Sequence, residues 1–411
     1  WNFHKRLALC IISMIGTKPQ RLVLGFMTAT AFLSMWISNT ASTMMMFPVA
    51  TAVVRQIARD ASLNGIKNFE SQKQIEQGLG LVLMLGLAYS ASIGGVGTLV
   101  GTAPNIVFAG FYKKMFPEFS EVTFFQWMVL AVPVVIVFIP IVWLYLCRLV
   151  SPISLKNISV SNHQIIQREL DNLGPINRAE KTVAAVFFIT AFLWIFRQPI
   201  LFGVYMLPGW SGLFASSEYL HDSTVAMSMG LLLMILPVNG LKGQNLNGKQ
   251  EFFALDWKTV EKKIPWGILL LFGGGFALAS GFGDTGLDIW IDSKLTGLEN
   301  WPLWCVVLGI CLSITFLTEL TSNTATTTMI LPILGFSAVA ANTHPLFFML
   351  PATLAASFAF MLPVATPPNA IVFGSGWVTI PQMSRTGFIL NFVGAGIVSS
   401  AVLLLVKPLL L

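Results

Sequence analysis

The sequence predicts an all-α polytopic membrane protein assembled from two inverted repeats, and three observations carry that expectation. The first is composition. Of 411 residues, 55% are hydrophobic and 10% charged, where soluble domains hold about 25% charged residues. The second is a repeated pattern. Phe32-Leu33-Ser34-Met35-Trp36-Ile37-Ser38-Asn39-Thr40-Ala41 returns as Phe316-Leu317-Thr318-Glu319-Leu320-Thr321-Ser322-Asn323-Thr324-Ala325, at a constant offset of 284 that also aligns Pro48 with Pro332. The third is a shorter pair, Gly101-Thr102-Ala103-Pro104-Asn105-Ile106 and Ala365-Thr366-Pro367-Pro368-Asn369-Ala370, at an offset of 264. Uncharged polar clusters inside apolar segments are costly unless they bind something. A matched pair of them points to one site built from two halves.

The elements follow in order. Residues 1–20 open the chain with an amphipathic stretch, 2–14, expected to lie flat at the membrane interface. Residues 21–54 are apolar but carry the first Ser-Asn-Thr triplet at their middle, so they read as two half-length helices meeting at a tip, a re-entrant hairpin. Residues 78–147 hold a helix broken by Gly94-Gly95-Val96-Gly97 and Gly101 within 78–112, then a span at 124–147. Apolar runs at 182–200, 224–237 and 264–282 fill 182–282, the one at 224–237 being short for a span. A second amphipathic segment is expected at 286–295, within 284–299. The second hairpin covers 301–340. The last section, 345–411, holds a helix broken at Pro363, Pro367 and Pro368 within 345–374, then a span at 384–410. Broken helices at membrane depth are tolerated where the freed backbone lines a cavity. Three apolar segments precede the interfacial segment in the second half and none in the first. That asymmetry, and an opening on Trp1, leads to the expectation of about three matching spans ahead of this chain.

Charge sets the orientation. If residues 55–77 are cytoplasmic, alternating spans make 1–21, 148–181, 238–263 and 374–385 cytoplasmic too, and these segments hold 19 of the 24 Lys and Arg residues. This is a positive-inside pattern, and it has the two hairpins entering from opposite sides. The net charge of +6 does not suggest nucleic acid, because the basic residues lie in short loops. Cys10, Cys147, Cys305 and Cys311 show neither metal-ligand spacing nor a disulfide framework and read as small core residues. The four histidines are scattered. Gly94 to Gly101 superficially resembles a phosphate loop, but no Gly-Lys-Ser/Thr follows. Gly273-Gly274-Gly275 suggests close helix packing. Asn157-Ile158-Ser159 matches a glycosylation acceptor on the cytoplasmic side, where it goes unused, and the loop 161–173 reads as a solvated helix.

The chemistry that these motifs permit is specific. Half-helix N-termini present unpaired N–H groups that suit a carboxylate or another anion. Half-helix carbonyls, with hydroxyl and amide oxygens, suit a hard cation such as Na+. Ser34, Ser38 and Asn39 beside Gly101 would form one cage, and Thr318, Thr321 and Asn323 beside Ala365 its symmetry mate. Cations held by neutral ligands leave local positive charge that eases entry of a dianion, a rationale for Na+-coupled anion symport. Such residues often only hydrogen-bond neighbouring helices, but two triplets, each paired with a Thr-x-Pro-Asn break, argue against that. Glu319 is an intramembrane acid, normally a mark of function. It aligns with Met35, outside the symmetric set, so a supporting role is expected.

At Trp36-Ile37-Ser38-Asn39-Thr40-Ala41, Ser92-Ile93-Gly94-Gly95, Pro265-Trp266-Gly267-Ile268, Thr321-Ser322-Asn323-Thr324-Ala325-Thr326 and Ser357 through Asn369, the sequence resembles the divalent anion:sodium symporter family. These are sodium-coupled di- and tricarboxylate transporters, and the likeness runs along essentially the whole chain. The resemblance implies eleven transmembrane helices with two hairpins, a homodimer, and an elevator in which a transport domain of hairpins and broken helices slides against a static scaffold. It implies that most of the first four helices, largely scaffold, precede this chain. Carried over by position, the first Na+ site uses Ser34, Ser38, Asn39 and the carbonyl of Gly101. The second uses Thr318, Asn323 and the carbonyls of Thr321 and Ala365. The substrate carboxylates meet Ser38, Asn39, Thr40, Ser322, Asn323 and Thr324, with Thr102, Thr366 and Pro367 nearby. Ala103 departs from its partner Pro367, which leaves substrate size open.

The leading expectation is a multi-pass plasma (inner) membrane symporter of succinate, malate or fumarate, with Na+, the dicarboxylate and the lipid bilayer as its partners. Within the family the alternatives are citrate or sulfate symport, or dicarboxylate exchange. A channel would need charge rings or a carbonyl filter, and a membrane-embedded enzyme would need acids, bases or metal ligands at depth, where Glu319 stands alone.

Overall fold

The structure, a computed structural model, describes residues 1–16, 18–63, 69–151, 163–202, 205–238, 253–264, 266–286 and 301–410. The interfacial segment expected at 286–295 and the Asn157 acceptor lie outside the described residues, apart from Gly286. The chain divides into two compact units. One comprises Trp1–Leu7, Thr123–Phe125 and Glu169–Trp266, and the other Ala8–Val122, Gln126–Arg168 and Gly267–Leu411.

The smaller unit is built on α8 (Arg178–Ile195) and α9 (Asp222–Ile235), which pack together, with α10 (Trp257–Lys263) following. Asn177 caps α8 by accepting from the Glu180 amide at 2.7 Å. The half-buried Arg6 guanidinium reaches the buried Glu180 carboxylate at 3.3 Å and the Gly174 carbonyl at 2.8 Å. Arg197, itself buried, donates to Asp222 Oδ1 at 2.6 Å and to the Leu220 carbonyl at 2.8 Å. The run expected at 182–200 ends as a helix at Ile195. Ile200–Phe202 then pairs antiparallel with Tyr205–Leu207 as the ribbon β1–β2, a departure from an all-α reading. Pro199 offers no N–H to continue the helix, and the residues that follow are apolar and β-permissive. At 14 residues α9 is as short as its sequence implied.

The larger unit carries everything else. α1 (Phe3–Ile15) runs into it from the smaller unit and buries Ala8, Leu9 and Ile12. α2 (Pro19–Ser34) starts with proline at its first position, where a missing N–H is harmless. α3 (Asn39–Leu63) returns after a four-residue tip, and α4 (Phe69–Gly95) follows. A break leads to α5 (Ala103–Met115), and α6 (Phe124–Tyr145), extended by a π-helical turn at Leu146–Val150, makes a long apolar helix. α7 (His163–Asn172) confirms a helix in the loop expected at 161–173. After α11 (Trp266–Asp284), the second hairpin comprises α12 (Leu303–Thr318) and α13 (Asn323–Ala340). The second broken helix is α14 (Leu346–Ala355) with α15 (Pro367–Phe373), and α16 (Ile380–Leu410) ends the chain.

The hairpin arms hold 16, 25, 16 and 18 residues, longer than the half-length helices expected. At 1.5 Å per residue a 16-residue arm covers about 24 Å of a roughly 30 Å hydrocarbon core. Among the described residues, Lys73–Gly95, Phe124–Val150, Asn323–Ala340 and Ile380–Leu410 are long and apolar enough to cross a membrane. Of the three glycines at 273–275, only Gly275 makes a close approach: a Cβ there would lie 2.1 Å from Thr328 Cγ2, whereas Gly273 and Gly274 face open space. All four cysteines are free.

Candidate functional site

The two halves interlock. The second segment of the first broken helix, α5, packs on α13 of the second hairpin. Reciprocally, α15 of the second broken helix packs on α3 of the first hairpin. Each hairpin's return arm therefore sits against the other half's helix start, and all of these elements lie in one unit.

In the first half, Ser34 ends α2 and Asn39 begins α3, so the four-residue tip brings them face to face. Ser34 Oγ lies 2.7 Å from Asn39 Oδ1 and 2.6 Å from the Ala91 carbonyl, two acceptors for one proton. Gly101 allows the chain in between to close in. A Cβ there would lie 2.4 Å from the Gly95 carbonyl oxygen, 2.8 Å from that of Ser34 and 3.0 Å from that of Met35. Only glycine lets those carbonyls converge. Gly94 and Gly95 serve the same end, with Ala31's carbonyl oxygen and Asn39 Oδ1 at 2.2 and 2.3 Å from their missing Cβ atoms. The break itself is held by Asn105. Its Nδ2 donates to the carbonyls of Gly95 at 3.2 Å and Thr98 at 2.7 Å. Thr98 in turn gives its hydroxyl proton to the Met35 carbonyl, and Trp127 Nε1 fixes Val96 at 2.8 Å.

The second half repeats this geometry with different side chains. Thr318 Oγ1 lies 2.7 Å from Asn323 Oδ1 and 3.1 Å from the Ala356 carbonyl. Asn369 Nδ2 donates to Ala359 and Leu362, both at 3.0 Å. The offset of 264 maps Gly95 onto Ala359, Thr98 onto Leu362 and Asn105 onto Asn369. Thr102 and Thr366, the residues ahead of α5 and α15, share one backbone conformation (φ −141°; ψ 149° and 148°). Pro104 in α5, and Pro367 and Pro368 in α15, then start the helices without wasting an N–H. Thr43 and Thr327 close back on the carbonyls of Asn39 and Asn323 at 2.9 and 2.7 Å.

The expected site residues fall as follows. Ser34, Asn39 and Gly101 come together, as do Thr318 and Asn323. Ser38 is exposed and its Oγ accepts from the Ala41 amide at 3.3 Å, a helix-capping bond at the start of α3. Thr321 spends its hydroxyl on the Leu317 carbonyl at 2.9 Å and faces Thr326 Oγ1. What it has left to offer is its carbonyl, the atom the resemblance implied. Ser322 precedes α13, and Thr40 and Thr324 stand in the first turns of α3 and α13, part-exposed. Ala365 and Thr366 are buried at the second break, with Pro367 exposed beside them.

Sequence reasoning missed the work done by Asn105, Asn369, Thr98 and Asn391. The spacing Thr-x-Pro-Asn, shared by both breaks, is the available signal for the two asparagines. It also missed Ser92 and Ser357, fully buried hydroxyls that, like Asn105 Oδ1 and Asn369 Oδ1, have no hydrogen-bond partner among the described residues. Neutral oxygens of this kind fit Na+, which favours hydroxyl, amide and carbonyl donors. A separate cavity of about 520 Å³, lined by Cys305, Ile310, Leu317, Ile330, Leu334 and Phe348, lies between the arms of the second hairpin. Its lining is almost wholly apolar, so it offers an anion no partner.

Two matched hairpin-and-break units, joined crosswise around neutral oxygens and helix starts inside an apolar chain, define a polytopic membrane transport protein. Comparison with known proteins gives the family. Residues 1–411 match the family described as sodium:sulfate symporter transmembrane region. The chain is 41% identical over 410 residues to the sodium-dependent dicarboxylate transporter SdcS of Staphylococcus saprophyticus, covering 100% of this chain and 74% of the relative. It is 40% identical over 415 residues to the protein of the same name from Staphylococcus aureus strain NCTC 8325, with the same coverage. The chain belongs to the sodium:sulfate symporter family, whose members are transport proteins and not enzymes, and it is a multi-pass plasma-membrane protein.

Proposed function

We propose that this protein carries C4-dicarboxylates such as succinate, malate and fumarate by sodium-coupled symport. The movement is an elevator of the hairpin-and-break unit within a homodimer, and the hairpins are re-entrant from opposite sides. The observation that carries the proposal is the repeated hydroxyl–amide pair, Ser34 with Asn39 and Thr318 with Asn323, each at 2.7 Å and each beside a helix break. Two neutral cages hold two cations without cancelling their charge, and that charge offsets the cost of placing a dianion at membrane depth. The starts of α3, α13 and α5 add N–H groups suited to carboxylates. The relatives' name, sodium-dependent dicarboxylate transporter, supports both ion and substrate. Ser38, Asn39, Thr40, Ser322, Asn323, Thr324, Thr102, Thr366 and Pro367 are the proposed substrate contacts. Ser34, Ser38, Asn39, Gly101, Thr318, Thr321, Asn323 and Ala365 are the proposed Na+ ligands.

A second reading is sulfate symport, which the family's description favours. Uptake of labelled succinate into proteoliposomes under an inward Na+ gradient, with K+ in its place as control, tests both. Na+-dependent uptake blocked by unlabelled malate and not by sulfate is the expected result. Inhibition by sulfate alone, or uptake that ignores Na+ and requires internal dicarboxylate, would overturn the symport reading.

A further inference from the structure

The two halves are clamped by different chemistry, and the difference lies at one position. In the first half the hairpin residue Met35 offers its backbone carbonyl to the Thr98 hydroxyl of the break. In the second half the aligned residues are Glu319 and Leu362, and the direction of donation reverses. Glu319, 3% exposed, accepts from three consecutive amides of the break. Oε1 takes Phe360 N at 2.7 Å and Met361 N at 2.9 Å, and Oε2 takes Leu362 N at 3.1 Å. Asn391 Nδ2 on α16 supplies a fourth donor at 2.9 Å. Four N–H donors converge on its two oxygens, an environment that suits a carboxylate whose charge is met by a nest of backbone dipoles.

The reason for the difference can be read in the breaks. Gly94-Gly95-Val96-Gly97 closes its own turn, Gly97 N donating to the Gly94 carbonyl at 2.9 Å. The second break reads Phe358-Ala359-Phe360-Met361, has no glycine, and leaves its amides to Glu319. Leu362 is the link to the cage. Its N–H goes to Glu319, and its carbonyl accepts from Asn369 at 3.0 Å and from the amide of Ala365 at 3.2 Å. Ala365 carries the carbonyl assigned to the second cation.

We propose that Glu319 is the positioning residue of the second cation cage. It holds the break in the shape that presents the Ala365 carbonyl, and its fixed negative charge, absent from the first half, makes the second cage the one that fills at lower Na+. This rests on the cation reading given under Proposed function.

The test measures half-saturating Na+ in two ways on the purified protein, with choline as the replacement ion. One is the rise in melting temperature in detergent without substrate, and the other is labelled-succinate uptake in proteoliposomes. Removing a charge beside a cation site makes Glu319→Gln raise half-saturating Na+ about tenfold in both, while succinate KM and maximal rate at saturating Na+ stay within about twofold. Glu319→Asp, which keeps the charge, moves it less. A purely structural role would lower the starting melting temperature and leave half-saturating Na+ where it was, and that result overturns the proposal. If Glu319→Gln does not fold, Glu319→Met with Leu362→Thr rebuilds the first half's hydroxyl-to-carbonyl clamp while removing the charge together with the amide acceptor. The same tenfold shift is expected, and a wild-type Na+ response in that variant sinks the idea. A wild-type protein stabilised by Na+ but unable to take up succinate refutes the dicarboxylate reading and leaves the Glu319 comparison decisive on melting alone. A wild-type protein indifferent to Na+ in both measurements refutes the cages and the clamp together.

Discussion

Adding one methyl group at Gly95 is expected to disable the first cage. A Cβ at that position would lie 2.3 Å from Asn39 Oδ1, 3.0 Å from its Cγ and 3.1 Å from its Nδ2. Ordinary C···O contacts begin near about 3.3 Å, so the amide must retreat by roughly 1 Å. The Ser34–Asn39 pair, now at 2.7 Å, then opens to about 3.7 Å, beyond hydrogen-bonding range. Overpacking of this size costs about 1–3 kcal/mol of stability, which a buried helix end in a large protein survives. Function is more sensitive, since a displacement of about 1 Å at a binding constellation can cost roughly a hundredfold. Gly95→Ala should therefore fold, melt a few degrees lower, and lose about two orders of magnitude of Na+-driven succinate uptake at fixed Na+. The control lies in the other half. Ala359 occupies the matching position and already carries a Cβ, so Ala359→Gly should cost only about 0.5–1 kcal/mol of backbone entropy and leave uptake within a few-fold. Wild-type Na+ dependence in Gly95→Ala, measured by uptake in proteoliposomes, would refute the argument that Asn39 must sit where it does.

Other expectations can be checked with the same preparations. Asn39→Ala and Asn323→Ala each remove a proposed cation ligand that is also a proposed substrate contact, and each should abolish Na+-driven uptake; normal transport in either one sinks the two-half site. Asn105→Ala and Asn369→Ala each remove two buried hydrogen bonds, and by the usual cost of lost hydrogen bonds each should lower unfolding free energy by about 2–3 kcal/mol in denaturant or thermal melts. In the smaller unit, Arg197→Ala leaves Asp222 without its charged partner at 2.6 Å and should destabilise by about 3 kcal/mol, read by the same melts. His344 packs tilted against Phe119 with ring centroids 4.5 Å apart and accepts from the Leu346 amide through Nδ1, and burial holds its pKa below the ordinary 6.5. The folded loop therefore prefers neutral imidazole, a contribution complete above pH 6.5 and lost as pH falls from there through the lowered value. Amide exchange at Leu346, corrected for its intrinsic pH dependence, should speed up below pH 6.5 in wild type and not in His344→Phe.

Much of this fold was legible because its landmarks are chemical anomalies in an apolar background. The Ser-Asn-Thr tips and the Thr-x-Pro-Asn breaks stand out, and the structure puts helix ends at Ser34, Asn39, Thr318 and Asn323, where the triplets implied them. The pairing of Ser34 with Asn39 follows from their place on either side of a tight tip. The crosswise packing of α5 on α13 and α15 on α3 was not legible, since a repeat in sequence says nothing about which copy each element touches. Nor was the role of Glu319. Its alignment with Met35 sets it outside the repeated pattern, but only the folded structure shows that an acid accepts the amides of a break that has no glycine. The ribbon at Ile200–Phe202 escaped because a short apolar run has no period to distinguish strand from helix.

The two repeats differ in length by 20 residues, the gap between offsets of 284 at the hairpins and 264 at the breaks. The surplus falls in α3 and α4, of 25 and 27 residues, where the other half has helices of 18 and 10. It bears the exposed Arg55, Arg59, Lys73 and Gln74, well along the chain from every candidate ligand. That pair of helices is a ready-made handle. A fluorophore or a paramagnetic tag at Arg59 or Gln74 would test the proposed elevator displacement, and a binder raised against these helices would arrest it if it occurs. Either way, a buried site becomes observable without a single one of its atoms being changed.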